Sequence, residues 1–97
     1  MKPSDIKEHH IYCNRGKGKV LRFVLSIGKF TPPDWFSSNP RDGEPGVWYR
    51  DSKGRQDVLY LSSFASWCGK CVAIADGESF TMVDHVDFKL LEAFKDI

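Results

Sequence analysis

The segment Ile11-Tyr12-Cys13-Asn14-Arg15-Gly16-Lys17-Gly18-Lys19-Val20-Leu21-Arg22-Phe23-Val24-Leu25-Ser26-Ile27 carries the clearest structural signal in the chain. Val20, Arg22, Val24 and Ser26 alternate with Leu21, Phe23, Leu25 and Ile27, so one face is strongly apolar and the other mixed. A period of two is the mark of a half-buried strand. Residues 11–14 supply a shorter extended run. Between the two, Gly16 and Gly18 permit positive φ, and Arg15, Lys17 and Lys19 want water, which predicts a turn. The segment is therefore expected to be a β-hairpin.

A second hairpin is expected downstream. Gly46-Val47-Trp48-Tyr49-Arg50 and Asp57-Val58-Leu59-Tyr60-Leu61 are extended runs flanking the turn Asp51-Ser52-Lys53-Gly54. The intervening residues 31–46 contain Pro32, Pro33, Pro40 and Pro45, which exclude regular structure, and they predict a long connection carrying Trp35 and Phe36. Ser62 or Ser63 is a suitable N-cap for a short helix over residues 63–70. In that reading Phe64, Trp67, Cys68 and Cys71 share one helical face. Residues 72–75 suggest a further strand, residues 80–83 fit either class, and Leu90, Leu91 and Phe94 give the C-terminus a helical stripe. Asp84 and Asp87 are placed to cap that helix. The expected fold class is α+β, mainly β: a small antiparallel barrel with a short helix and a C-terminal helix, in one domain over residues 1–97.

Composition bounds the function. A chain of 97 residues with 41% apolar and 13% aromatic side chains can build one core and argues against disorder. No apolar run is long enough for a membrane helix, and the start of the chain lacks a signal-peptide core, so a cytoplasmic protein without a membrane partner is expected. Three cysteines fit poorly to a secreted disulfide framework. The net charge of +1 hides an asymmetry. Residues 1–55 hold eleven Lys/Arg against six Asp/Glu, and residues 56–97 hold three against seven. A basic face is compatible with that distribution, as is mixing of the two halves in space.

The cysteines admit two chemistries. Phe64-Ala65-Ser66-Trp67-Cys68-Gly69-Lys70-Cys71 resembles the active-site stretch of the thioredoxin family, where a helix start lowers the pKa of the first thiol. The similarity covers eight residues. Two hairpins precede it in place of a βαβ unit, and too little chain follows for the rest of that fold, so the string is read as a local coincidence. A thiol–disulfide protein using Cys68 and Cys71 stays as an alternative. So does structural zinc held by His10, Cys13, Cys68 and Cys71, since two closely spaced pairs far apart in sequence can staple two hairpin ends. The remaining reading treats the cysteines as small buried hydrophobes and requires no cofactor. There is no phosphate-binding loop of the P-loop or Rossmann type, and no Ser or Cys nucleophile is tied to His9, His10 or His85 by a known pattern, so no enzyme is expected.

Basic and aromatic residues interleave in the first half. Arg15, Lys17 and Lys19 crowd the hairpin turn, Arg22 follows on the mixed face, and Trp35, Arg41 and Trp48 come after. Cations neutralise phosphates and flat rings stack on bases, the combination that single-strand binders use. The competing reading puts the cations on solvated turns and the rings in the core.

The strings Trp35-Phe36-Ser37-Ser38-Asn39-Pro40-Arg41, Glu44-Pro45-Gly46-Val47-Trp48-Tyr49 and Leu59-Tyr60-Leu61-Ser62-Ser63-Phe64-Ala65-Ser66-Trp67 resemble a group of small, uncharacterised phage and prophage proteins, over roughly residues 5–72. That resemblance implies a phage-associated origin and a small SH3-like barrel, and brings no catalytic residues with it. The sequence is thus read as a non-enzymatic binding module acting on nucleic acid or on a host protein, through Arg15, Lys17, Lys19, Arg22, Trp35, Arg41 and Trp48.

Overall fold

The fold is described from a computed structural model, over residues 1–16, 18–31, 43–77, 79–84 and 88–95. The first hairpin forms as its alternation requires. Strand β1 (His10–Asn14) pairs antiparallel with β2 (Leu21–Gly28), placing Ile11 opposite Phe23 and Cys13 opposite Leu21. Asn14 closes the connection: its backbone N–H donates to the Val20 carbonyl at 3.1 Å, and its Oδ1 accepts the Val20 N–H at 3.0 Å. Gly16 and Gly18 both take positive φ there, +83° and +65°, where a Cβ would be strained.

Strands β3 (Gly46–Asp51) and β4 (Gln56–Tyr60) continue the meander. Their turn is built by Asp51, whose Oδ1 accepts the N–H groups of Lys53 and Arg55, each at 2.9 Å. Helix α1 (Leu61–Trp67) follows β4 directly. No serine caps it. Instead the Glu44 carboxylate accepts the Ser62 N–H at 2.8 Å and the Pro45 carbonyl accepts the Leu61 N–H at 3.0 Å, so the two residues just before β3 cap the helix from outside. The helix ends at Trp67, not near residue 70. Cys68 is already extended, with φ −67° and ψ 133°, and opens strand β5 (Cys68–Asp76). Gly69, Val72 and Ile74 disfavour helix, and the β-branched Val72 and Ile74 suit a strand. Cys68 and Cys71 therefore lie on a strand, and the helical face expected for them does not exist. Strand β6 (Ser79–Met82), a short helix α2 (Phe88–Leu91) and a 3₁₀ turn (Glu92–Phe94) complete the described chain.

The strand order is β4-β3-β2-β1-β5-β6, antiparallel throughout. This makes α1 a crossover from one edge to the far side of β1. Across a flat sheet β4 and β5 would lie about 19 Å apart, whereas seven helical residues span about 10 Å. The sheet must coil around α1. Bulges permit the coiling: β2 carries Leu25 as an extra residue against β3, and β5 carries Gly69 and Val72 as extras against β1. The sheet stays open, with β4 and β6 at its edges.

Both faces of the central strands are covered. Tyr12, Val24, Val47 and Tyr49 pack with Phe64, Ala65 and Cys68 around α1. Ile11, Cys13, Leu21, Phe23, Val72 and Ala73 pack against Leu91 and Phe94 of the C-terminal segment. The alternation in β2 is thus read by two cores, so the face expected to be mixed buries Val24 completely. Tyr12 also fastens the N-terminal turn Pro3–Asp5: its hydroxyl donates to the Asp5 carbonyl at 2.9 Å and accepts the Lys7 N–H at 2.8 Å.

Candidate nucleic-acid interface at the first hairpin

The β1–β5 pairing decides which residues meet the first turn. Cys13 lies opposite Lys70 and Asn14 opposite Cys68, which brings Gly69 and Lys70 against the β1–β2 connection. Gly69 is required at that bulge, since a Cβ there would sit 2.7 Å from the Asn14 carbonyl oxygen. The chain path is secured by the Arg15 N–H, which donates to the Trp67 carbonyl at 3.2 Å. A hollow of about 320 Å³ results. Cys13 and Val72, both buried, form its apolar base, while Asn14, Arg15 and Lys70 contribute polar groups and Gly16, Gly18 and Gly69 leave it open. Among the described residues no carboxylate lines it. The Lys70 amine pairs with Asp84 at 3.1 Å, with both side chains about half exposed.

Lys19 is exposed beside this hollow. Arg22 is not part of it. Its guanidinium lies 4.4 Å from the Tyr49 ring and 4.1 Å from the Trp67 ring, stacked with both. Its Nε and Nη1 are buried without a hydrogen-bond partner. Burial pushes the Tyr49 hydroxyl pKa up, and the Arg22 charge partly offsets that. Trp48 extends from the other side of β3 than Tyr49, half-buried and edge-on to Phe30 at 5.8 Å. The structure therefore gathers Arg15 and Lys19 at one end, sets Arg22 within a ring stack, and places Trp48 on the opposite face. Lys17, Trp35 and Arg41 lie outside the described residues.

Lys70, Gly69 and Asn14 were not expected at this site. Lys70 and Gly69 sat inside the string read for thiol chemistry, and nothing local in the sequence joins position 70 to position 15. Only the β1–β5 register does so.

The sulfur atoms are arranged for packing. Cys68 is fully buried, and burial pushes its thiol up to about 12 despite nearby positive charge from the N-terminal amine and Arg22. Burial also raises Cys71. Neither thiol is a thiolate near neutral pH, the state a redox nucleophile needs. Cys13 belongs to the core under the C-terminal segment, whereas Cys68 and Cys71 pack on the α1 side. His10 hydrogen-bonds through Nδ1 to the Glu8 carbonyl oxygen at 2.9 Å and stacks on Tyr12. Among the described residues no three His, Cys, Asp or Glu side chains converge as a metal-binding group, and no helix is long and apolar enough to cross a membrane.

Comparison with protein-family models, with curated proteins and with solved structures gave no match to this chain.

Proposed function

We propose that this protein is a small, non-enzymatic, cytoplasmic binding module that engages nucleic acid through the open end of its first hairpin. The observation that carries this reading is the hollow between the β1–β2 turn and β5, which Arg15 and Lys70 both line, with no carboxylate in the lining among the described residues. Lys19 extends the positive surface beside it. Such a surface suits a polyanion, because each bound cation releases a counterion from the phosphate backbone. A meander of four strands, a short helix and a fifth strand returning to β1 is also the connectivity expected of an SH3-like barrel, which supports that finer fold assignment.

Binding of fluorescently labelled single-stranded and duplex oligonucleotides across a salt series, in reductant, tests the proposal. Three participating cations give a log–log salt slope of roughly −2 on a single strand. Lack of binding at low salt would overturn it and turn attention to a protein partner, whose contact would vary little with salt.

A further inference from the structure

The hollow between the β1–β2 turn and β5 is compact. Its base is closed by Cys13 and Val72, buried side chains of neighbouring strands. It is therefore a surface hollow with a floor, not a passage through the protein. Its volume, about 320 Å³, is at the small end for ligand pockets. The Gly16 and Gly18 N–H groups donate to no acceptor among the described residues. Arg15, Lys70, the second Nδ2 hydrogen of Asn14 (the first goes to the Arg15 carbonyl at 2.9 Å) and the N–H groups of these two lining glycines form a set of partners for one compact oxyanion.

We infer that this recess binds the terminal phosphate of a nucleic-acid strand. The inference rests on the nucleic-acid reading above and narrows it. A phosphodiester within a strand carries a single negative charge and a sugar on each side. A terminal monoester has one substituent, which can leave through the open side. It also carries a charge of about −1.5 to −2 at pH 7, a match for Arg15 and Lys70 together. The Lys70–Asp84 pair is half exposed and gives way at little cost to an arriving dianion. The glycines keep the entrance clear: a Cβ on Gly18 would lie 3.2 Å from Cys13 Sγ, and its φ of +65° disfavours any side chain.

The test uses the full chain and three oligonucleotides of one sequence, bearing a 5′-phosphate, a 3′-phosphate or hydroxyls at both ends. One of the two phosphorylated strands should bind about tenfold more tightly than the hydroxyl-ended strand. That preference should shrink as pH falls through about 6, where the monoester takes up its second proton. Arg15→Gln and Lys70→Gln, checked for unchanged melting, should each erase most of it. Equal binding of all three strands would overturn the end-phosphate inference while leaving the nucleic-acid reading in place. A preference that survives both substitutions would also overturn it, because the phosphate would then sit elsewhere. Failure of all three strands to bind at low salt would remove both.

Discussion

Arg15 and Arg22 leave the same hairpin, one from its turn and one from its second strand, yet their surroundings give them opposite work. Arg15 is exposed, and among the described residues its side chain reaches only a long contact, 3.4 Å, from Nε to the Cys68 carbonyl. Arg22 is stacked between Tyr49 and Trp67, with two nitrogen atoms buried and unpartnered. A guanidinium is weakly hydrated and flat, so it can serve as a packing element between rings. The same residue type at the edge of a recess serves as a charge. A basic and aromatic pattern in a sequence cannot separate those roles, because the separation lies in which strand face each residue takes and what covers that face.

The largest expected effect falls on the ring stack. Trp67→Ala removes one wall from Arg22 and a ring lying 5.4 Å from Phe64. Loss of a large ring from a core typically costs 3–5 kcal/mol. Trp67 is only partly buried, which places the expected cost near the lower bound, about 3 kcal/mol. Chemical denaturation measures it. Oligonucleotide affinity of the folded fraction should stay unchanged. A loss of affinity with little loss of stability would reverse the roles assigned to the two regions.

Alkaline pH separates the regions without mutation. In the folded protein the thiol of Cys68 and the hydroxyl of Tyr12 are both held protonated by burial, each with a pKa of about 12, against ordinary values of 9.0 and 10.0. Below pH 9 both groups keep their proton folded or unfolded, and their contribution to stability is fully present. Above pH 9 the unfolded chain releases the Cys68 proton while the folded chain retains it. Stability then falls by about 1.4 kcal/mol per pH unit, and more steeply once the unfolded Tyr12 also ionises above pH 10. Denaturation midpoints from pH 8 to 11 should show the decline, and Cys68→Ala should make it shallower above pH 9, the remainder there coming from Cys71, whose thiol burial also raises.

Most elements were legible before any coordinates, because their signals are local. Period-two alternation placed β2, glycine and aspartate placed the turns, and an apolar stripe placed the C-terminal helix. The Ser62 and Ser63 caps failed because Glu44, distant in sequence, caps α1 instead. Spacings of three and four persist past Trp67 and predict helix through Cys68, whereas the β1–β5 ladder that claims residue 68 is a long-range pairing. The site was half legible for the same reason. Arg15 and Lys19 share a turn and could be read together, whereas Lys70 arrives through register, and Arg22 leaves the set through stacking.

Arg22 itself gives a medium effect and a sharper question. Arg22→Ala should cost about 1–2 kcal/mol, since the stem and the cation–π contacts are both lost. Arg22→Met keeps a long side chain between the rings and removes the two orphaned N–H groups. Because burying an unmet donor is itself unfavourable, the Met variant should stay within about 1 kcal/mol of the parent. If Met costs as much as Ala, the charge over the rings matters more than the filling of space.

The smallest change in stability belongs to the turn. Arg15→Gln and Lys19→Gln alter exposed side chains and should move the folding free energy by no more than about 0.5 kcal/mol each. Their effect should be visible in binding. Each lost phosphate contact reduces the salt slope on a single strand by about 0.7, so the double variant should flatten it by more than one unit. A slope that does not change would mean that these cations are solvated and that the bound strand lies elsewhere. The two arginines would then differ in burial but not in function, and the hairpin end would lose its claim to be the binding surface.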